Sequence, residues 1–210
     1  MLFTNFDKWL KTKRGVFHIG ANDGAERDWY QQQRFSPVLW FEPNKDVFLK
    51  LQNNISNRKN DRCYNIGIHD TLKSAVLHIA SNKGQSSSIL NFGTHKKYRP
   101  DIKYIQDQRI TLMRMDTFIK EQGIDMRKFN FLNIDVQGVE LSVIKSFGKL
   151  ISKLDYIYTE VNEEQLYENC CLVGEIDAYL QPFGFERKET VMTPHKWGDA
   201  LYVKKNVDEI

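Results

Sequence analysis

Three carboxylates and a pair of glycines are the residues of this chain best spaced to do chemistry. Val16 to Glu26 reads VFHIGANDGAE, and Val38 to Glu42 reads VLWFE. The first is a short apolar run that stops at Gly20 and turns into a helix after Gly24. A strand, a glycine-rich turn and a helix N-terminus hold nucleotide-like ligands in α/β proteins, because unpaired backbone N–H groups point at the ligand. The second is an apolar strand ending in Glu42, whose carboxylate can take both hydroxyls of a ribose. Together they imply a nucleoside-containing cofactor. Two more apolar runs end in acids: Phe129 to Ile134 runs into Asp135, and Tyr156 to Thr159 into Glu160.

Glycine spacing narrows the cofactor. The dinucleotide fingerprint GxGxxG, opened at Gly20, needs glycine at the places held by Asn22 and Ala25. A pyrophosphate is therefore not expected, and an NAD-dependent enzyme is disfavoured. GxxxG with a downstream Glu is similar to the first two motifs of class I S-adenosylmethionine (SAM) methyltransferases. The plain alternative is an ordinary strand-turn-helix connection.

The elements that must position these residues follow from apolar periodicity. Leu2, Phe3, Phe6, Trp9 and Leu10 recur at helical spacing and predict an opening helix within residues 1–13, packed on the sheet edge. A helix over 25–34 follows the first strand. Pro43-Asn44 starts another through about Asn54. Strands are expected over 63–68, 75–80 and 110–115, with Asp116 capping a short helix that ends near Gly123. Helices over 139–147 and 172–180 flank the strand at Tyr156–Thr159. Residues 186–192 and 200–204 form a closing hairpin. Strand alternating with helix gives an α/β fold with a doubly wound, mostly parallel sheet. Ligands in such sheets bind outside the carboxyl ends of the strands, so Gly20, Glu42, Gly67, Asp135 and Glu160 should border one crevice.

Composition sets the frame. The chain has 210 residues, enough for one full domain over 1–210. Charged residues at 27% and hydrophobic residues at 41% suit a soluble globular protein. No apolar run reaches membrane-spanning length, and no signal-peptide core opens the chain, so a cytoplasmic location is expected. Cys63, Cys170 and Cys171 form no CxxC or Cys/His pattern, which argues against a zinc site and for a reducing compartment. A net charge of +3 is too weak to argue for nucleic acid. Residues 95–114 are locally basic, which fits either a solvated face or a phosphate-bearing acceptor.

The chain resembles the FkbM methyltransferases over nearly its whole length, Val16 to Val203. The blocks that carry the resemblance are FHIGANDGAE (17–26), VLWFEPN (38–44), NIGIHD (65–70), SNKGQSSSIL (81–90), FLNIDVQGVEL (131–141), YIYTEVN (156–162) and WGDALYV (197–203). IDVQGVE is the most specific of them. The resemblance implies a Rossmann-like class I methyltransferase with a mostly parallel seven-stranded sheet and a C-terminal antiparallel hairpin. It also implies SAM as cofactor and O-methylation, in many members on sugars of glycans and glycosides. One departure stands at the end of the first strand, where the family commonly has an acid and this chain has His18. A hydrogen bond to the turn or to the cofactor amine is then expected in place of an ionic contact.

Residue roles follow. Gly20, Asn22, Asp23 and Gly24 would meet the methionine end of the cofactor, although Asn22 and Asp23 also suit plain turn geometry. Glu42 and Pro43 would hold the ribose, Gly67 and Ile68 the adenine, and Asp135 with Gln137 the region of the methylsulfonium. Asp135, Glu160 or His95 is the expected base. Asp135 and Glu160 could instead ligate Mg²⁺. Glu140 reads as a first-turn helix acid. Ser87 and Ser88 belong to a polar loop that closes over substrate. His95, Asn162, Trp197 and Asp199 are candidates for the acceptor site, with a hairpin anchor as the competing role of Trp197. His69 reads as structural.

The expected function is methyl transfer to a sugar hydroxyl, a deoxyhexose such as rhamnose or fucose being the first choice. The rivals are another acceptor, such as RNA or a phenol, and a SAM-binding module without turnover. Nucleic acid and membrane partners are not expected; a homodimer is open.

Overall fold

The computed structural model describes Phe6 and residues 8–205. Ten strands and six α-helices alternate along it. In chain order they are β1 (Gly15–Ile19), α1 (Arg27–Gln32), β2 (Val38–Phe41), α2 (Lys45–Ile55), β3 (Arg62–Tyr64), β4 (Gly67–Ile68), β5 (Ser74–Ala80), α3 (His95–Tyr98), β6 (Tyr104–Met113), α4 (Met115–Glu121), β7 (Phe129–Ile134), α5 (Glu140–Ser146), β8 (Tyr156–Asn162), α6 (Val173–Leu180), β9 (Phe185–Met192) and β10 (Trp197–Lys204).

The main sheet has seven strands in the order β3-β2-β1-β7-β8-β10-β9. β10 runs antiparallel to both neighbours, and the other pairings are parallel. This is the doubly wound sheet with a closing hairpin that the periodicity predicts. Its strands are apolar on both faces because helices cover both. Phe17, Leu39, Leu132, Ile157 and Ala200 face one core with α4, α5 and α6. Val16, Trp40, Phe131, Tyr158 and Leu201 face the other, with Tyr30 of α1 and Leu51 of α2.

Alternation along a strand then fixes where the acids point. Glu42, Asp135, Glu160 and Asp199 lie in step with Trp40, Phe131, Tyr158 and Leu201. All four therefore emerge on the α1–α2 face, at the end of the sheet where β1, β2, β7 and β8 finish.

Four expectations change. Residues 63–68 do not form one strand: β3 closes the main sheet, and β4 pairs with β6 in a second, three-stranded sheet of order β4-β6-β5. β6 begins at Tyr104, six residues before the expected start, because β5 offers it a full antiparallel partner. β8 and β10 are each longer than their apolar runs, because they pair over their whole length from Tyr156↔Val203 to Asn162↔Trp197. Glu160, Asn162, Trp197 and Asp199 therefore belong to strands. Of the opening helix, Leu2 and Phe3 lie outside the described residues. Lys8 and Trp9 form a turn closed by Trp9 N–H donating to the Phe6 carbonyl at 2.9 Å. Phe6 and Leu10 are nonetheless buried, and Phe6 packs edge-on against Tyr158.

The second sheet arches over the crevice. Its β4 end sits beside Pro43, and its other end, Ala80 and Tyr104, packs with Phe92, Tyr167 and Trp197 on the β8 side.

Candidate functional site

The turn after β1 is locked to the end of β2. Gly20 and Ala21 N–H both donate to the Phe41 carbonyl at 3.0 Å. The Glu42 carboxylate accepts from Asn22 N–H at 2.9 Å and from Asn44 N–H at 2.7 Å. Asn22 has φ 47°, a left-handed conformation that Asn tolerates, and its Oδ1 accepts from Asp23 N–H at 2.8 Å. Asn44 caps α2 by accepting from Asp46 N–H. The Glu42 carboxylate has acceptor capacity left on both oxygens, which is what two ribose hydroxyls require. Burial pushes its pKa up to about 7, with Asp135 adding to the rise.

Gly20 has an internal reason as well as a ligand reason. Its φ is +77°, and a Cβ there would stand 1.8 Å from the Asp135 carbonyl oxygen. Gly24 likewise meets Leu51 of α2. Asp23 is tied through its carbonyl, which accepts from Asn54 Nδ2 at 2.7 Å.

His18 does not line the crevice. It is 1% exposed, its ring tilted 5.0 Å from that of Trp40. The Tyr30 hydroxyl accepts from Asn133 Nδ2 at 2.6 Å and meets His18 Nδ1 at 3.1 Å. Burial lowers the His18 pKa to about 3, so the ring is neutral and Tyr30 donates to Nδ1. The expected bond to the turn or to a cofactor amine is replaced by this aromatic cage, because alternation points His18 beneath α1. Ile68 also departs from expectation: it is 3% exposed in the main core. Gly67 alone of that pair borders Pro43, and Asn65 Nδ2 donates to the Glu42 and Pro43 carbonyls.

At the centre, one amide holds two acids. Gln137 Nε2 donates to Asp135 Oδ1 at 2.6 Å and to Glu160 Oε2 at 2.8 Å. Its Oε1 accepts from the Tyr167 hydroxyl at 2.6 Å, so the amide cannot turn over. Asp199 stands opposite Glu160 in the β8–β10 ladder. Burial raises the Asp135 pKa to about 6, with Asp199 and Glu26 adding to the rise. Burial, then Asp135, Glu140 and Asp199, push Glu160 well above the carboxylate range. The two acids therefore resist ionising together, and Glu160 is the one driven further towards its neutral form. Glu140 is fully buried, and its carboxylate accepts from Gly138 N–H at 3.0 Å. It braces the 136–138 loop.

The serine loop is already committed. Ser87 Oγ accepts from Ala80 N–H at 3.0 Å; Ser88 Oγ donates to the Gln137 carbonyl at 2.7 Å and accepts from Leu90 N–H at 3.1 Å. Ser87 and Ser88 thus brace the arch and the central loop, where substrate contact was expected. The loop does cross the crevice: a Cβ at Gly84 would lie 3.7 Å from Asn44 Nδ2 on the β2 side, while Ser86 offers its carbonyl to Tyr167 on the β8 side.

The β8 side is an aromatic wall. His95 stacks on Phe92 at 4.4 Å and lies 5.6 Å from Tyr167. Burial lowers its pKa. Its ring is part of this wall. Trp197 packs against the cluster of Phe92 and Tyr167, which makes it both an anchor and part of this wall. Asn162 is 0% exposed. Its Oδ1 and Nδ2 have no partner, and neither does His95 Nδ1. Each such group left unpaired costs about 1–3 kcal/mol. His69 caps a turn, accepting from Thr71 and Leu72 N–H, and His195 rests edge-on against Tyr98.

Tyr167 and Phe92 were invisible to motif reading. They are brought in by an irregular ladder in which Gly93 and His95 N–H donate to the Leu166 carbonyl and Glu168 N–H to that of Asn91. Among the described residues, no group of three or more His, Cys, Asp or Glu is arranged to hold a metal ion. Asp135 and Glu160, which could ligate Mg²⁺, share the Gln137 amide as donor.

The FkbM methyltransferase domain model matches residues 18–187. This chain belongs to the FkbM methyltransferase family. The FkbM chain is 25% identical over 160 residues to the 2-O-methyltransferase NoeI of Sinorhizobium fredii (strain NBRC 101917 / NGR234), covering 73% of this chain and 65% of that protein. Solved structures share its fold. Fibrillarin of Aeropyrum pernix, with natively bound SAM, aligns with TM-score 0.51 and 12% identity over 93% of this chain and 68% of that one. The ribosomal protein L11 methylase of Lactobacillus delbrueckii subsp. bulgaricus aligns with TM-score 0.51 and 10% identity over 96% and 75%. The crevice has residues that would fit a SAM-type cofactor: Glu42 has acceptor capacity left for ribose hydroxyls, and Asp135 would offer negative charge to an ammonium or sulfonium. No described helix is long and apolar enough to cross a membrane.

Proposed function

We propose that this chain is a SAM-dependent O-methyltransferase whose acceptor is a sugar hydroxyl, a deoxyhexose such as fucose or rhamnose. The observation that carries the reading is the Asp135–Gln137–Glu160 group. It sets two buried carboxylates, bridged by one amide, at the carboxyl ends of the central strands, where burial raises both and Glu160 the more.

The bound cofactor supplies an electrophilic methyl group on a sulfonium. Everything else falls to the protein. Glu42 holds the ribose and the turn after Gly20 holds the other end, so that methyl, sulfur and acceptor oxygen can line up. A sugar hydroxyl is a far weaker acid than a carboxylic acid, so its proton leaves late, as the C–O bond forms. Asp135 takes that proton. Gln137 keeps the Asp135 oxygen in place, and burial drives Glu160 towards its neutral form, which limits competing negative charge. The products are the methyl ether, S-adenosylhomocysteine (SAH) and the proton on Asp135.

The acidity of the crevice favours a neutral acceptor over a phosphate-bearing one. Asp135, Glu160, Asp199 and Glu26 influence one another's charge, and an RNA backbone brought to them would be repelled. Lys96 and Lys97 of α3 and Arg109 of β6 are exposed to solvent. A cytoplasmic site of action suits three free cysteines.

The test is incubation with labelled SAM and a panel of glycosides, RNA and phenols, with and without EDTA, with the methylated position read by mass spectrometry. A methyl ether on a glycoside is expected, and the EDTA arm decides whether a divalent metal takes part. Methylated RNA, or SAH binding without turnover of any acceptor, would overturn the reading.

A further inference from the structure

Two buried polar side chains in the β8 wall are not explained by the fold. Asn162 ends β8 two residues beyond Glu160, so both side chains leave the strand on the same side. It is 0% exposed, and both atoms of its amide are unpaired. Its neighbour across the ladder is Trp197, which packs against the cluster containing Phe92 and Tyr167. On those same two rings lies His95, with an unpaired and buried Nδ1. Tyr167 in turn bonds Gln137, the amide that holds Asp135 and Glu160. A continuous chain of contacts thus runs from the two unpaired groups to the base.

We propose that Asn162 and His95 form the acceptor-orienting subsite, with the Asn162 amide bonding two adjacent oxygens of the acceptor and His95 Nδ1 a third group. The proposal rests on the reading of the acceptor as a polyhydroxylated ring. A carboxamide sets one donor edge and one acceptor atom side by side, and neighbouring hydroxyls can each donate and accept. The pair therefore satisfies the amide in a way that a lone hydroxyl cannot. The imidazole is neutral, so it reads a hydroxyl without attracting an anion. Asn162 is then a specificity residue: it selects which hydroxyl faces Asp135 by holding the ones beside it. A site that leaves such groups unpaired when a substrate hydroxyl is missing discriminates strongly against the deoxy analogue.

The experiment uses the whole chain and three variants: Asn162→Leu, Asn162→Ser and His95→Phe. Probes are SAH, by calorimetry, and methyl glycosides of fucose and rhamnose with monodeoxy analogues lacking a hydroxyl next to the methylated one. Asn162→Leu is expected to lower kcat/KM about thirtyfold, mostly through KM, as befits loss of hydrogen bonds in a desolvated site. On the deoxy analogue, wild type and variant should converge. SAH affinity should stay within about twofold, because the cofactor lies on the β1–β2 side. The midpoint of thermal unfolding should rise in Asn162→Leu, since an apolar side chain of similar size relieves the unpaired amide. Asn162→Ser, which keeps a hydroxyl, should recover part of the activity, and His95→Phe should raise KM with the stack preserved.

A fall in the Asn162→Leu midpoint would overturn the proposal, since the amide would then be a structural partner. So would an equal loss of kcat/KM on parent and deoxy acceptors, or a His95→Phe variant that loses SAH. If wild type binds SAH but methylates no glycoside, the sugar reading fails by itself. The midpoint then still decides Asn162: a rise keeps it as a ligand-facing amide, and a fall removes it.

Discussion

On the β1–β2 side of the crevice the groups of the turn and of the β2 end are bonded to one another. Glu42 bonds Asn22 and Asn44, Asn22 bonds Asp23, and Asn65 bonds two carbonyls. On the β8–α3 side Asn162 and His95 keep buried atoms unpaired. The first half is a cradle preformed by backbone and can serve any nucleoside cofactor of the right length. The second half is complete only with a ligand in it. Fold likeness to fibrillarin and the L11 methylase speaks to the sheet that carries both halves; acceptor choice belongs to the second. Asp135, Gln137 and Glu160 form the seam between them.

The largest expected effect tests that seam. Asp135→Asn should lower kcat by about 10²–10⁴-fold, the usual worth of a general base, and should also weaken SAH, which loses a negative partner for its ammonium. Glu160→Gln should cost only about tenfold, because the amide resembles the neutral acid towards which burial drives Glu160. Equal losses in the two variants would break the assignment of base and acid. The activity of wild type should rise with pH through about 6, where Asp135 ionises.

Next is the cradle. Glu42→Ala should weaken SAH by about 10–100-fold, since hydrogen bonds to a charged group are worth about 1.5–3 kcal/mol. The deoxyadenosine analogue lacking the 2′-hydroxyl should lose less in the variant than in wild type. A Glu42→Ala protein that binds SAH normally would remove the ribose contact from the first half of the comparison.

The same residue sets a pH dependence of stability. Its folded pKa of about 7 lies above the ordinary 4.5, so the folded state binds the proton more tightly than the unfolded chain. That stabilisation is fully present below pH 4.5 and is lost as pH rises through about 7. The shift corresponds to about 3 kcal/mol over that window. Burial raises Asp135, Glu140 and Glu160 too, in the same direction. Urea melts at a series of pH values should show falling stability from acid to neutral pH, and Glu42→Gln should flatten the fall. A wild type whose stability rises over this range would contradict the buried-acid cradle.

The two halves also differ in how far sequence could reveal them. The cradle is local: Gly20, Asn22 and Glu42 sit at the ends of apolar strands whose period is plain, so strand, turn and acid could be placed from pattern alone. The wall is assembled from segments distant in sequence. Tyr167 lies in a stretch of no period and is held by the ladder to residues 91–95. β6 opens YIQDQR, which reads as a solvated segment and becomes strand only because β5 pairs with it. Asn162 was legible as a strand-end polar residue, but its lack of partners is a property of packing. His18 misled because its place in the motif is that of a ligand contact, whereas strand alternation turns it under α1.

The smallest effect concerns the serine loop, where sequence pointed to substrate and the structure to support. Ser87 Oγ accepts from Ala80 N–H, so Ser87→Ala removes a hydrogen bond that anchors the arch. That should cost stability of about 1 kcal/mol, a fall in the melting midpoint of about 2–4 °C for a chain of this size. KM for the acceptor should stay within about twofold, because the hydroxyl oxygen is already engaged by Ala80 N–H. Ser88→Ala should cost more, since Ser88 bonds both the Gln137 carbonyl and Leu90 N–H. Its effect on rate should appear in kcat and not in KM, because the Gln137 carbonyl positions the amide that holds Asp135. A rise in KM with Ser87→Ala at unchanged stability would move the arch from the scaffold into the acceptor half, and the division between the two sides would have to be redrawn along the loop.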